Sequence, residues 1–297
     1  MMTLERDFPD KLPYELRRPA DQRIPFVFNS PHSGQVYPPA FLQQSQLDAQ
    51  TIRRSEDCFV DQLFAASVML GAPMLVAHFP RAYLDVNREP YELDAKMFSD
   101  SLPSYANANS ARVAGGLGTV PRLVGEGQEI YAQKLPVEEA LGRITTIYKP
   151  YHALLAGMLV ETRSRFGYGV LVDCHSMPTG IRFPESGLRP DFIIGDRFGT
   201  SCSPELTHTA IHLLREMGYA VAHNKPYAGG YITEHYGRPL KRFHALQIEV
   251  NRGLYLNEHN YERKSGFGQL QRDISQFLAD LVSLPDFHFL DVPLAAE

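Results

Sequence analysis

Two histidines stand where apolar, β-prone runs give out. Ile24-Pro25-Phe26-Val27-Phe28 passes through Asn29-Ser30-Pro31 to His32, and Gly169-Val170-Leu171-Val172 runs into Asp173-Cys174-His175-Ser176. Two further runs end in reactive side chains. "MLVAHF" (74–79) leads to Arg81, Asp85, Asn87 and Arg88, and "ALQIEVNR" (245–252) carries Glu249, Asn251 and Arg252. One polar strand end is ordinary, because strands finish at the surface. Four of them favour a shared site if the strands are neighbours, which spacing alone does not decide. His208, His212, His259 and His288 follow no such run and read as surface or hydrogen-bonding residues.

Two imidazoles and one carboxylate would hold a catalytic zinc ion and leave a position open for water. The pattern is long-range, since neither HExxH nor CxxC occurs. A carboxylate is offered by "RRSEDCFVDQLF" (53–64), where Glu56, Asp57 and Asp61 fall near the start of an expected helix. Asp57 and Asp61 would share a helix face at i, i+4 spacing, and acids there would equally complement the helix dipole. The same three ligands describe the facial triad of a non-haem iron oxygenase, but the usual short H-x-D/E spacing is missing because Ser33 and Gly34 follow His32. No GxSxG elbow marks a serine hydrolase. Cys174 and His175 are adjacent on an extended chain and point to opposite faces, so they do not pair as nucleophile and base; Cys174 is expected in the core. A binding protein without catalysis would lack Glu249 or a metal histidine, and this chain has both.

The elements that must position these groups alternate. Helical spacing from Thr51 to Leu70, ended by Gly71-Ala72-Pro73, separates the first two strands. Residues 90–127 are rich in Ser, Asn, Gly and Pro and read as a long irregular excursion. A helix is expected over 137–166 with a break near Lys149-Pro150. Strands at 191–196 and 219–224 and helices at 207–217 and 263–283 complete the chain. This order predicts a three-layer αβα fold with a central, mostly parallel or mixed sheet, formed as a single catalytic domain over 1–297. Ligands in such folds bind outside the carboxyl ends of the strands.

With 297 residues, 44% of them hydrophobic and 21% charged, the chain has the composition of a globular protein. Its net charge of −5 gives no electrostatic reason to expect nucleic acid as a partner. "MMTLERDFPD" lacks the apolar stretch of a signal peptide, and no apolar run approaches the ~20 residues of a membrane span. Three cysteines, without a CxxC pair, argue against a disulfide framework and for a reducing, cytoplasmic setting.

"NSPHSG", "PRAYLDVNRE", "YKPYHALL", "LVDCHSMP", "GGYITEHYG" and "ALQIEVNRGLYL" together resemble the signature blocks of the N-formylglutamate amidohydrolase family, from about residue 24 to 283. More distantly, their order is similar to the zinc carboxypeptidase and aspartoacylase superfamily. The resemblance implies a zinc-carboxypeptidase-like αβα fold and one zinc ion per chain. It implies that His32 is the first zinc ligand and His175 the last, that Glu249 is the catalytic glutamate, and that Arg81 polarises the scissile carbonyl. Asn87 and Arg88 match the carboxylate-binding pair. Where the superfamily often has a ligating Glu three residues after the first His, this chain has Gln35. An amide is a poor zinc ligand, so the carboxylate is assigned to Asp57, with Glu56 the alternative.

The activity so implied is zinc-dependent cleavage of N-formyl-L-glutamate to formate and L-glutamate, with hydrolysis of another N-acyl amino acid as its nearest rival. The expected partner is therefore a small N-acyl amino acid bearing carboxylates. Arg88 would clamp one of them. Arg252 would either hold the second or pair with an acid. Gly229-Gly230 either lets backbone approach the substrate, with Tyr231 or His235 in contact, or serves a turn that needs glycine.

Overall fold

The computed structural model describes residues 7, 8, 11–125, 127–182, 187 and 189–283. The strands are β1 (Tyr14–Arg17), β2 (Phe26–Ser30), β3 (Met74–Ala77), β4 (Gly169–Met177), β5 (Phe192–Gly195), β6 (Val221–His223) and β7 (Phe243–Asn251), with a separate pair, β8 (Leu256–Asn257) and β9 (Glu262–Arg263). The first seven form one sheet in the order β1-β3-β2-β4-β7-β5-β6. Strands β2, β4 and β7 run parallel, whereas β5 is antiparallel to β7, so the sheet is mixed. Helices flank it, as the alternating sequence predicts. The four strands singled out by their polar ends, β3, β2, β4 and β7, are consecutive in the sheet.

By internal contacts the described residues fall into two compact units. One comprises the chain up to Glu15, Pro31–Asp57 and Val76–Leu154; the other comprises Leu16–Ser30, Cys58–Leu75 and the chain from Leu155 onward.

The second unit holds the centre of the sheet. All nine residues of β4 are buried, as expected of a parallel strand covered on both faces. Side chains alternate along a strand and stand level with their register partners. Leu171, Asp173, His175 and Met177 therefore share a face. On the same face of β7, Gln247 stands beside Asp173 and Glu249 beside His175. Asn29 of β2 stands on the other side of Asp173. Cys174 points the opposite way and is fully buried, and burial raises its thiol pKa well above the usual range.

Two helices of this unit pack against each other: α1 (Pro204–Glu216) and α2 (Phe267–Val282). In α2, Phe267, Leu270, Ile274, Phe277, Leu278 and Leu281 form one apolar stripe. Ser203 caps α1, its Oγ accepting from the Leu206 N–H.

In the first unit, Arg143 is fully buried among aromatic rings, its guanidinium carbon 4.0 Å from the centroid of Tyr83. It donates to the Tyr83 carbonyl at 2.9 Å and to Tyr131 Oη and Glu139 Oε1 at 2.6 Å. This arginine pins the segment that leads to Asp85.

Two expectations need correction. The helix read over Thr51–Leu70 is broken into a 3-10 turn (Thr51–Arg53) and two short helices, Val60–Leu63 and Ala66–Leu70. Phe59 adopts a left-handed conformation (φ 62°) that no helix continues through. Asp57 thus lies on a loop, and it does not share a helix face with Asp61. The break expected at Lys149-Pro150 is also absent, since a helix runs from Lys149 to Phe166. A π-helical turn, Ile144–Tyr148, precedes it. The changed hydrogen-bond register there absorbs the missing proline N–H. The irregular excursion over 90–127 holds among its described residues, with only a 3-10 turn at Ala95–Met97 and a helical turn at Ala111–Ala114. Among the described residues no helix is long and apolar enough to cross a membrane.

Candidate active site

In the first unit, the loop after β2 presents His32. Gly34 lets it do so: a Cβ there would lie 2.1 Å from the Phe79 carbonyl oxygen. The Asp57 N–H donates to the His32 carbonyl at 3.0 Å, and Asp57 Oδ2 lies 3.5 Å from His32 Nδ1. The other ring nitrogen, Nε2, meets Asp85 Oδ1 at 2.8 Å.

Asp85 is fully enclosed. Burial alone would raise its pKa, but Arg81, Arg88 and His32 outweigh it and hold the carboxyl well below the usual range. Its Oδ1 also accepts the Asn87 N–H, and its Oδ2 accepts from Arg81 Nε at 2.9 Å. An ionised carboxylate can only accept, so the His32 proton belongs on Nε2 and the lone pair on Nδ1, toward Asp57.

The second unit repeats the device within one strand. His175 Nε2 meets Asp173 Oδ2 at 2.9 Å, and Asp173 Oδ1 accepts from Asn29 Nδ2 at 2.8 Å. Here too Nδ1 is the nitrogen turned away from the carboxylate.

His32, Asp57 and His175 are all buried, and one ligand atom of each lies within 4.8 Å of the others, so this group could hold a metal ion. The donor chemistry fits one: two neutral imidazoles, a carboxylate, and a carboxylate behind each imidazole to orient it. Glu56 takes no part. Its carboxylate receives Tyr37 Oη at 2.5 Å and Arg53 Nε and Nη2 at 3.0 Å. Asp61 pairs with Arg17 at 3.0 Å. Gln35 is exposed.

The remaining sequence candidates divide. Arg88 is buried and donates from Nε to the Leu117 carbonyl and from Nη1 to the Asn87 carbonyl, with Nη2 at 3.4 Å from Asp85. Burial pulls its pKa down to about 10 despite Asp85. Tyr148 Oη and His152 Nε2 grip the carbonyls of Arg88 and Val86 at 2.7 and 2.9 Å, so the "YKPYHALL" block steadies "DVNR". Arg81 remains about a quarter exposed (26%).

Glu249 stands level with His175 on the neighbouring strand and is buried. Arg252 Nε donates to Ser176 Oγ at 3.0 Å, and Asn251 closes the turn by accepting from the Gly253 N–H. Tyr231 opens a short helix, α3 (Tyr231–Tyr236), and His235 lies in its last turn; their rings stack at 5.0 Å, Tyr231 partly buried and His235 exposed. Gly229 has φ 115°, so the turn reading of the glycines holds at that position.

Asp85, Asp173 and Gln247 are the site residues to which the sequence reading gave no role. For Asp173 and Gln247 a signal existed: each lies two residues before a named residue on a strand, and hence on the same face. Nothing local to the sequence marks Asp85 as the partner of His32.

The family model described as N-formylglutamate amidohydrolase matches residues 24–256. The chain is 30% identical over 240 residues to an N-formylglutamate deformylase of Pseudomonas aeruginosa, covering 80% of this chain and 84% of that one. It is 31% identical over 239 residues to an N-formylglutamate deformylase of Pseudomonas putida, covering 80% and 83%. The crystal structure of an N-formylglutamate amidohydrolase from Ralstonia eutropha JMP134 superposes with a TM-score of 0.85 at 36% identity, over 91% of this chain and 98% of the other.

Proposed function

The chain belongs to the N-formylglutamate amidohydrolase family, and we propose that it hydrolyses N-formyl-L-glutamate to formate and L-glutamate with one zinc ion held by His32, Asp57 and His175. The observation that carries the reading is the buried His–Asp–His group, with a carboxylate orienting each imidazole. Its residues would bind the ion through the two Nδ1 atoms and a carboxylate oxygen of Asp57. Zinc in such a setting polarises a carbonyl and lowers the pKa of a water to ~7.

Glu249 is the proton carrier. It takes a proton from the attacking water as the water oxygen adds to the formyl carbon. When the C–N bond breaks, it returns that proton to the leaving nitrogen, and the products are formate and the free amino acid. Burial of Glu249 keeps bulk water from competing for the proton.

Arg81 supplies positive charge to the developing oxyanion. Arg88 and Asn87 receive one substrate carboxylate. Arg88 does so with guanidinium hydrogens beyond those given to the Leu117 and Asn87 carbonyls. Arg252 receives the other, and Tyr231 and His235 border the substrate.

The test is a panel of N-formyl-, N-acetyl- and N-succinyl-L-amino acids offered to zinc-reconstituted protein. N-formyl-L-glutamate should give the highest kcat/KM. Equal or better turnover of an N-acetyl or N-succinyl substrate would replace this reading with hydrolysis of another N-acyl amino acid.

A further inference from the structure

Glu249 is held by its neighbour two residues back. Gln247 lies on the same face of β7 and is buried. Its Nε2 donates to Glu249 Oε1 at 2.9 Å, and its Oε1 accepts from the Gly230 N–H at 2.8 Å. A backbone N–H can only donate, so the end of the amide that meets Gly230 must be the oxygen. The NH2 end is thereby turned to Glu249. Gly230 is itself fixed, because it sits at the N-terminal cap of α3, in a turn whose backbone is tied down. The Arg197 N–H donates to the Ala228 carbonyl at 2.7 Å. Gly195 lets that turn approach, since a Cβ there would lie 2.7 Å from the Ala228 carbonyl carbon.

We propose that Gln247 is a positioning residue for the proton carrier, joining the Gly229–Tyr231 turn to Glu249. Its amide N–H donates to Oε1 and so fixes the orientation of the carboxylate. Across the sheet, Asn29, Asp173 and Gln247 form a supporting row, one pleat before the row of His175 and Glu249. Asp173 aims the histidine, and Gln247 aims the glutamate.

This inference rests on the reading of Glu249 as the proton carrier, and the test separates the two. In zinc-loaded protein assayed with N-formyl-L-glutamate, Gln247→Leu should lower kcat about tenfold or more, the usual worth of a hydrogen bond to a charged group. KM should stay within about twofold and zinc content should be unchanged. Gln247→Glu keeps an acceptor for Gly230 but offers no amide N–H to Glu249, so its kcat should fall at least as far. In a Glu249→Gln background, Gln247→Leu should cost nothing more. In the metal-free protein, the Gly230 amide proton resonance should move upfield in Gln247→Leu. A Gln247→Leu enzyme with normal kcat beside an inactive Glu249→Gln enzyme overturns the positioning role. So does a loss of zinc, or a rise in KM at constant kcat. Near-normal turnover in Glu249→Gln would instead overturn the reading of Glu249, while the Gly230 resonance would still report the hydrogen bond.

Discussion

Asp173 Oδ2 holds His175 Nε2 at 2.9 Å from two residues back on the same strand. Asp85 Oδ1 holds His32 Nε2 at 2.8 Å from far along the chain. The two carboxylates do one job by unlike routes: each sets the tautomer of a candidate ligand and makes its Nδ1 a better donor.

Asp173→Asn should therefore weaken zinc binding about 10–100-fold, the usual cost of losing such a partner. The fold should persist, because an amide still fits beside Asn29. Chelator competition measures the affinity. An unchanged dissociation constant would reduce Asp173 to a structural hydrogen bond.

Asp57→Ala should abolish stoichiometric zinc, whereas Glu56→Ala should leave it intact. The reason is that Glu56 spends its oxygens on Arg53 and Tyr37. Metal analysis of the two purified variants decides between them. Zinc retained by Asp57→Ala and lost by Glu56→Ala would reverse the assignment.

Arg88→Ala should lose stability and catalysis together. Its guanidinium serves two carbonyls and faces Asp85, and removing one partner from a buried charged group costs roughly 3–5 kcal/mol. Arg81 remains to balance Asp85, so the low end is expected in a denaturant titration. If Arg88 also binds the α-carboxylate, kcat/KM for N-formyl-L-glutamate should fall at least ~30-fold, at about 1.4 kcal/mol per decade. Arg88→Lys should lie between the variant and the parent. An N-formyl amino acid amide should be a poor substrate already and lose little more. Equal losses on acid and amide would remove Arg88 from the carboxylate pocket.

His244 makes the stability depend on acid. It is buried on β7, its Nδ1 accepts the Ser203 N–H at 3.1 Å, and burial drives its pKa down to about 4. The unfolded chain, with an ordinary pKa near ~6.5, binds the proton first as pH falls. This contribution is thus complete above about pH 6.5 and is lost between there and pH 4, amounting to about 3 kcal/mol. In His244→Gln the slope of unfolding free energy against pH over that window should flatten. An unchanged slope would assign the acid sensitivity to other groups.

Much of the site was legible because strands make spacing meaningful. The apolar runs ending at His32, His175 and Glu249 named the strands that bear the candidate site, and the alternation of residues and runs named the fold class. Period two also put Asp173 on the face of His175, and Gln247 on that of Glu249, in residues any reader of the sequence has. What the sequence could not contain was strand order. Only the sheet makes β2, β4 and β7 consecutive and sets His175 level with Glu249. That Asp57 rather than Glu56 joins the candidate metal group has the same kind of cause. The two acids are adjacent in sequence, and one backbone turn at Phe59, left-handed against the helical pattern around it, keeps them on a loop. There Arg53 and Tyr37 claim Glu56, and Asp57 is left facing His32. Side-chain type and period are local and survive in the sequence. Which acid meets which base depends on contacts between residues far apart in the chain, and those exist only once the backbone has closed.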